Sequence, residues 1–394
     1  MSDEAKFQVK YGCGIGIGGR PYQEDRLVVA KTSIPGQSDS YFFAVFDGHG
    51  GDNVSAFLSK NFHSVLSAHP KFSMLPIAAL QETWAAFDDR CYSELQRIES
   101  ASGQKLFPTD GSTATVCMVT GDDIYVTNCG DSACYSVGTN GDFSILTEDH
   151  GTGNAVEVTR CVKAGGTMKE QRVYTPFPFP LCCANQLTIA KPRVMPGGLL
   201  VTRAFGDFNA KVDYLGGRKG VVIHTHGRIN YINAAKALPK YIILASDGIW
   251  DALSTEEIAK VIASFSQLPP GDTDVELARA SPTPSAGSGS PSRVHPYGTF
   301  VQSPYIQANV AESDPELTKL AAMLVEAAVR SPKWDEMGKH DCCAFSFVFP
   351  FPHELAFAIF FVHVKQTGSP ADNTSIIIIA FTPLVASATT GSTM

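Results

Sequence analysis

The chain has 394 residues, 44% of them hydrophobic, with a formal net charge of −8 and ten cysteines. That is enough apolar material for a sizeable core in one large domain or two ordinary ones. The negative balance and the lack of any Lys/Arg run exclude a nucleic-acid binder that works through a broad basic face, and the irregular cysteine spacing without C-x-x-C indicates neither a zinc knuckle nor a disulfide framework.

The opening decapeptide, MSDEAKFQVK, is charged and lacks an apolar h-region, which argues against a secretory signal. With reduced, buried thiols this reads as a protein of the cytoplasm or nucleus. Residues 12–19 (GCGIGIGG) formally contain G-x-G-x-x-G, but Arg20-Pro21 follows where a helix would have to open. The alternating Gly/apolar pattern therefore reads as a strand with close backbone packing, ahead of a nucleotide loop. Tyr41 to Phe46 is a buried strand ending at Asp47-Gly48, and Tyr241 to Ser246 is another ending at Asp247-Gly248. Each delivers one carboxylate to a sheet end, with glycine letting the backbone turn and leaving its carbonyl accessible.

Helical apolar spacing covers residues 52–67 and 76–99. Strands are expected at Ser112 to Val119, Asp123 to Asn128 and Cys134 to Val137, forming an antiparallel meander. Glu157 to Ala164 reads as a helix stopped by Gly165-Gly166, and Leu199 to Thr202 as a strand. Thr255 to Phe265 and Pro315 to Arg330 read as helices, and Ser375 to Phe381 as a last buried strand. Helices mixed with hairpin strands favour an α+β fold with antiparallel sheets over a parallel doubly wound one.

Three stretches look like insertions in a single domain over residues 1–382, which a flexible tail at 383–394 follows. Residues 175–196 are punctuated by proline, 268–314 are Pro/Ser-rich and expected to be disordered, and 340–368 are strongly apolar. Cys342 to Val364 approaches the length of a membrane span, but Pro350, Pro352, His353, Glu354 and His363 interrupt it. We read it as a soluble insertion, with no membrane partner.

Five separated pieces share one character, acidic residues at strand ends or turns: Arg20-Pro-Tyr-Gln-Glu24-Asp25, Asp47-Gly48-His49-Gly50-Gly51, Asn128-Cys-Gly130-Asp131-Ser132, Asp247-Gly-Ile-Trp-Asp251 and Asp372-Asn373. Singly each is an ordinary turn or surface charge. Together, and with DGSTA at 110–114, LTEDH at 146–150, the Glu157/Arg160/Ala164-Gly-Gly group, LLVTRAFGDF at 199–208 and ADNTSIII at 371–378, they resemble the metal-dependent serine/threonine protein phosphatase family, type 2C.

The resemblance implies a four-layer α/β/β/α sandwich, two packed antiparallel sheets flanked by helices. It implies two Mg2+ or Mn2+ ions, with Asp47 bridging and the Gly48 carbonyl contributing, Asp247 and Asp372 as terminal ligands of one ion, and Glu24 as a ligand of the other, directly or through water. Asp25 would hold a metal-bound water, while Asp131 and Asp251 would join Asp247 at a weaker third position. His49 aligns with the general acid and Arg20 with the phosphate-gripping guanidinium. The implied activity is hydrolysis of phosphoserine and phosphothreonine on proteins by a water bridging the two ions, in a chain expected to be a monomer.

Chemistry supports these roles. All-oxygen donors select hard cations over Zn2+, and two cations sharing Asp47 would lower the pKa of a water between them. Arg20 has a planar fork suited to two phosphate oxygens. A Cys-x5-Arg loop, which a thiol-dependent phosphatase would need, does not occur. The chain departs from the family at Ala133, where Arg is usual, and at Gly151-Thr-Gly153, where a Lys-Pro pair is usual. A catalytically impaired scaffold of the same fold is the alternative; the complete acidic set with Arg20 and His49 favours the enzyme.

Overall fold

The computed structural model describes residues 7–18, 20–33, 39–103, 109–173, 188–211, 223–225, 227–266, 305–307, 313–329, 331, 345–347, 360–362 and 372–383. Most of the 175–196, 268–314 and 340–368 stretches, with the tail beyond Pro383, lies outside them.

Two antiparallel sheets form the centre. One has five strands in the order Phe7–Gly16, Thr374–Pro383, Tyr241–Ala245, Ala133–Val137 and Phe143–Ile145. The other has six: Ile229–Asn233, Asp123–Cys129, Ala114–Thr120, Ser40–Phe46, Arg26–Thr32 and the parallel edge strand Ile306–Gln307. The period-2 alternation of these strands sends one set of side chains inward, and a buried cluster of Tyr11, Ile15, Leu27, Phe43, Val45, Val126, Leu244 and Ile377 fills the space between the sheets.

The opposite faces are covered by helices. Asn53–Ser67 and Pro76–Ser102 lie on the six-stranded sheet, joined to it through Val28, Phe46, Leu58, Phe62, Leu80, Trp84 and Phe87. Thr255–Phe265 and Pro315–Val329 cover the other through Ile243, Ile258, Leu320, Leu324 and Ile378. The result is the expected four layers.

The Gly-rich strand Phe7–Gly16 is explained by the helix above it. A Cβ on Gly12 would stand 2.1 Å from the backbone of Leu317, and one on Gly14 2.9 Å from that of Ala321. The glycines thus let Pro315–Val329 lie directly on the strand, as the extended reading requires.

Two expectations are corrected. The three strands after Ser112 are not one meander: Ala114–Thr120 and Asp123–Cys129 pair as a hairpin, but Ala133–Val137 belongs to the other sheet, beside Tyr241–Ala245. The chain changes sheet at Gly130-Asp131, which places Asp131 between the two layers' ends. Leu199–Thr202 is not a continuous strand either. Its bridges go to separate partners, Leu199 to Val194 and Val201 to Gly151, so no ladder forms until the short strand Phe205–Gly206. Part of the 175–196 stretch pairs instead, Thr188–Met195 running antiparallel to Thr167–Val173.

Candidate metal centre

Each acidic side chain is carried by an element whose end lies at the same edge of the sandwich. Asp47 follows the strand Ser40–Phe46, whose core side chains Phe43, Val45 and Phe46 are fully buried. Asp247 follows Tyr241–Ala245 and opens the single-turn helix Asp247–Trp250. Asp131 sits at the crossing from Asp123–Cys129 to Ala133–Val137. One carboxylate oxygen from each of Asp47, Asp131 and Asp247 lies within 4.8 Å of the others.

The glycines after Asp47 and Asp247 turn out to serve clearance rather than a left-handed turn. A Cβ on Gly48 would come within 2.5 Å of the Glu24 carbonyl, and one on Gly248 within 2.1 Å of the Asn373 carbonyl. This is how two acidic strand ends close on the segments that carry Glu24–Asp25 and Asp372–Asn373. Asn373 ties the termini together: its side-chain carbonyl accepts the Glu24 N–H at 2.9 Å, and its amide donates to the Ile17 carbonyl at 2.9 Å.

Around the three clustered carboxylates stand the remaining sequence-expected residues. Asp25 is fully buried, and neither of its carboxylate oxygens has a hydrogen-bond partner among the described residues. Glu24 accepts the Gly51 N–H at 2.8 Å. Asp372 is engaged by Arg20, Nη2 to Oδ2 at 2.6 Å, across 352 positions of sequence. It therefore lies beside the cluster but is turned to the guanidinium. Asp251 is exposed at the end of the Asp247 helix, near Lys191 at 3.9 Å.

Burial and mutual repulsion act together on this group. Burial, then the charges of Asp25, Asp247, Asp372 and Asp131, hold the Asp47 carboxyl well above its ordinary range. Asp247 is raised well above its range by burial and by Asp131 and Asp372. Burial raises Asp131 to about 6 and Asp25 to about 7. Crowded carboxylates with orphaned oxygens are what a polyvalent cation removes, and the donors are all oxygen. The residues present fit divalent metal ions.

His49 belongs to a three-stranded mini-sheet in which Gly111–Ser112 is flanked by Gly48–His49 and Phe205–Gly206. The ring Nε2 bonds Oδ2 of Asp207 at 2.8 Å. Burial works against the imidazolium, but the charge and hydrogen bond of Asp207 prevail, and the His49 pKa is raised.

Several residues escaped the sequence reading. Asp207 is fully buried and adopts φ 49°, a left-handed backbone that Asp tolerates; its sequence signal is its place in the LLVTRAFGDF stretch at 199–208. Lys211, 1% exposed, donates to Asp88 at 2.7 Å and to the Ala204 carbonyl at 2.8 Å, while Asp88 accepts the Gly206 N–H at 3.0 Å. This buried pair fixes the loop that carries Asp207. Thr113 accepts the Asp47 N–H at 3.2 Å and shares a hydrogen bond with Ser132 at 2.8 Å, linking the Asp47 and Asp131 segments.

Residues 16–280 match the family model described as Protein phosphatase 2C. A protein of Oryza sativa subsp. japonica named "Probable protein phosphatase 2C 45" is 31% identical over 266 residues, 67% of this chain and 79% of that protein. Human Protein phosphatase 1A is 27% identical over 259 residues, 65% of this chain and 62% of that protein. Among solved structures, a serine-threonine phosphatase 2C from Toxoplasma gondii shares the fold, with a TM-score of 0.57 at 17% identity, covering 96% of each chain. The motifs, the four layers and the acidic cluster at their edge agree with these matches: the chain belongs to the protein phosphatase 2C family.

Proposed function

We infer that the chain is a metal-dependent phosphatase that hydrolyses phosphoserine and phosphothreonine on proteins. The observation that carries this reading is the meeting of Asp47, Asp131 and Asp247, from three separate strand ends, within 4.8 Å in a chain of this family. Asp47, the Gly48 carbonyl, Asp247, Asp372 and Glu24 would hold two Mg2+ or Mn2+ ions. Asp25 would stand behind them, and Asp131 and Asp251 would offer a weaker third position. When bound, the cations supply charge neutralisation for the phosphoryl group and acidify water at the site.

The chain's own groups do the rest. Arg20 already grips an anionic oxygen, that of Asp372, and a phosphoryl oxygen offers the same planar fork a stronger partner. His49, with 29% of its side chain exposed, can hand its proton to the departing seryl or threonyl oxygen. Such donation contributes roughly 10²- to 10⁴-fold, because an alkoxide leaves poorly unprotonated. Thiol chemistry is not needed. The described cysteines are buried, and burial alone pushes the Cys13 thiol up to about 12.

A binding-only descendant would have no reason to keep buried carboxylates that repel one another without cations. On this reading the partners are phosphoproteins of the cytoplasm or nucleus. The test is phosphate release from a phosphothreonine peptide: it should require Mn2+ or Mg2+, stop in excess chelator and survive thiol alkylation. Undiminished release in chelator would overturn the reading.

A further inference from the structure

The bond between His49 and Asp207 exists only because of what is missing between them. His49 pairs with Gly111 on one side of the central short strand, and Gly206 pairs with Gly111 on the other. A Cβ at Gly111 would lie 2.2 Å from Oδ2 of Asp207 and 2.4 Å from Nε2 of His49, inside the hydrogen bond itself. Gly111 has no left-handed backbone angle to explain it, so clearance for this contact is the physical reason for glycine there.

The other end of the contact is built as firmly. Asp207 is fully buried, and its N–H donates to the Asp110 carbonyl at 2.9 Å. Gly206 N–H is held by Asp88, and Asp88 by the buried Lys211. A buried carboxylate in a left-handed backbone conformation, braced by a buried ion pair, is a costly arrangement for a residue with no task.

We propose that Asp207 is the positioning residue of His49, and that Gly111 is the gap through which it reaches the ring. As a carboxylate, Asp207 accepts the Nε2–H of His49, which fixes the ring plane and the tautomer. Nδ1 is then the nitrogen that faces the leaving oxygen, and the proton it carries in the imidazolium is the one transferred. Water forms the new bond to phosphorus and releases its surplus proton to solvent, the P–O bond to the seryl or threonyl oxygen breaks, that oxygen gains the Nδ1 proton, and His49 is left in the neutral Nε2–H form. Asp207 exchanges no proton and touches no substrate. The proposal rests on the phosphatase reading for its kinetic consequence, but not for the tautomer.

Two kinds of measurement test it. In the first, Asp207→Asn and Gly111→Ala are assayed, with Mn2+, on a phosphothreonine peptide and on p-nitrophenyl phosphate. The nitrophenolate leaves without protonation, so the peptide rate should fall at least about tenfold more than the nitrophenyl rate, in kcat rather than KM. Combining Asp207→Asn with His49→Gln should slow the peptide no further than His49→Gln alone. Equal losses on both substrates, or a multiplicative double variant, would overturn the proposal.

The second measurement needs no variant of Asp207 to fold. Long-range 1H–15N spectra of the unmodified chain at a pH where His49 is neutral, assigned with His49→Gln, should show the Nε2–H tautomer. An Nδ1–H tautomer would overturn the proposal. A chain with no peptide hydrolysis at all would sink the phosphatase reading instead, leaving the tautomer to decide the contact.

Discussion

At the scale of single residues, the site is a set of carboxylates held where they repel. Asp47 and Asp247 were legible because each ends a short apolar run, the pattern that a strand buried on both faces shows. Asp131 was legible as a possible ligand only through the family likeness, yet it is the residue found closest with these two. Asp372 was legible as a ligand only through the family likeness, and its ion pair with Arg20 could not be read, since 352 positions separate the two. Asp207 could not be read, since nothing in Phe-Gly-Asp reveals that the chain will bring it to His49 across 158 positions. Neutralising one crowded carboxylate should have two opposite effects. Asp47→Asn and Asp247→Asn should each lower phosphatase turnover by at least about 100-fold. In chelator, calorimetry should find the same variants melting roughly 2 °C or more above the unmodified chain, because repulsion is relieved. A variant that melted lower in chelator would contradict the crowding.

At the scale of elements, the sequence told which segments are strands and helices better than which strands are neighbours. Thr255–Phe265 and Pro315–Val329 were readable from their apolar spacing, and the first carries a capping box between Ser254 and Glu257. The pairing of Ala133–Val137 with Tyr241–Ala245 was not readable, because alternation marks a half-buried strand without naming its partner. The glycine stripe under Pro315–Val329 gives a direct check. Gly12→Val should destabilise the fold by about 2–4 kcal/mol in urea unfolding, since backbone and not a movable side chain blocks the new atoms. A neutral effect would show that the helix does not lie on the strand.

The segment from His150 to Arg203 gives the element-scale pH dependence. Burial alone would raise the Glu157 pKa, but hydrogen bonds from Arg203, Arg160 and Thr202 take it far below the usual carboxylate range. A depressed carboxyl pKa contributes stability above its unfolded value, about 4.3, and loses it as pH falls toward the folded value. Glu157→Gln leaves Arg203 and Arg160 without their carboxylate and should cost about 2–4 kcal/mol at pH 7. That difference should shrink between pH 5 and pH 3 in urea unfolding. A constant difference would separate Glu157 from the ion pairs. His150, whose pKa burial depresses to about 4, lowers the stability of both chains as pH falls from about 6.5 toward 4, since charging it opposes folding.

At the scale of the whole molecule, the two sheets make one rigid edge out of distant sequence. Glu24 and Asn373 are joined directly, and Arg20 and Asp372 likewise, although they come from opposite ends of the chain. The fold class followed from strands and helices in mixed order. The mini-sheet that aligns His49, Gly111 and Asp207 did not, because strands of two residues carry no periodicity. Among the described residues no helix is long and apolar enough to cross a membrane. The central claim is that acidic groups from separate strand ends share a pair of divalent cations. Anomalous diffraction at the manganese edge, from crystals of the chain grown with Mn2+, tests it most directly. The account predicts two peaks, both within coordination distance of the Asp47 carboxylate, and the loss of both in Asp47→Asn; a map without manganese beside Asp47 would contradict it.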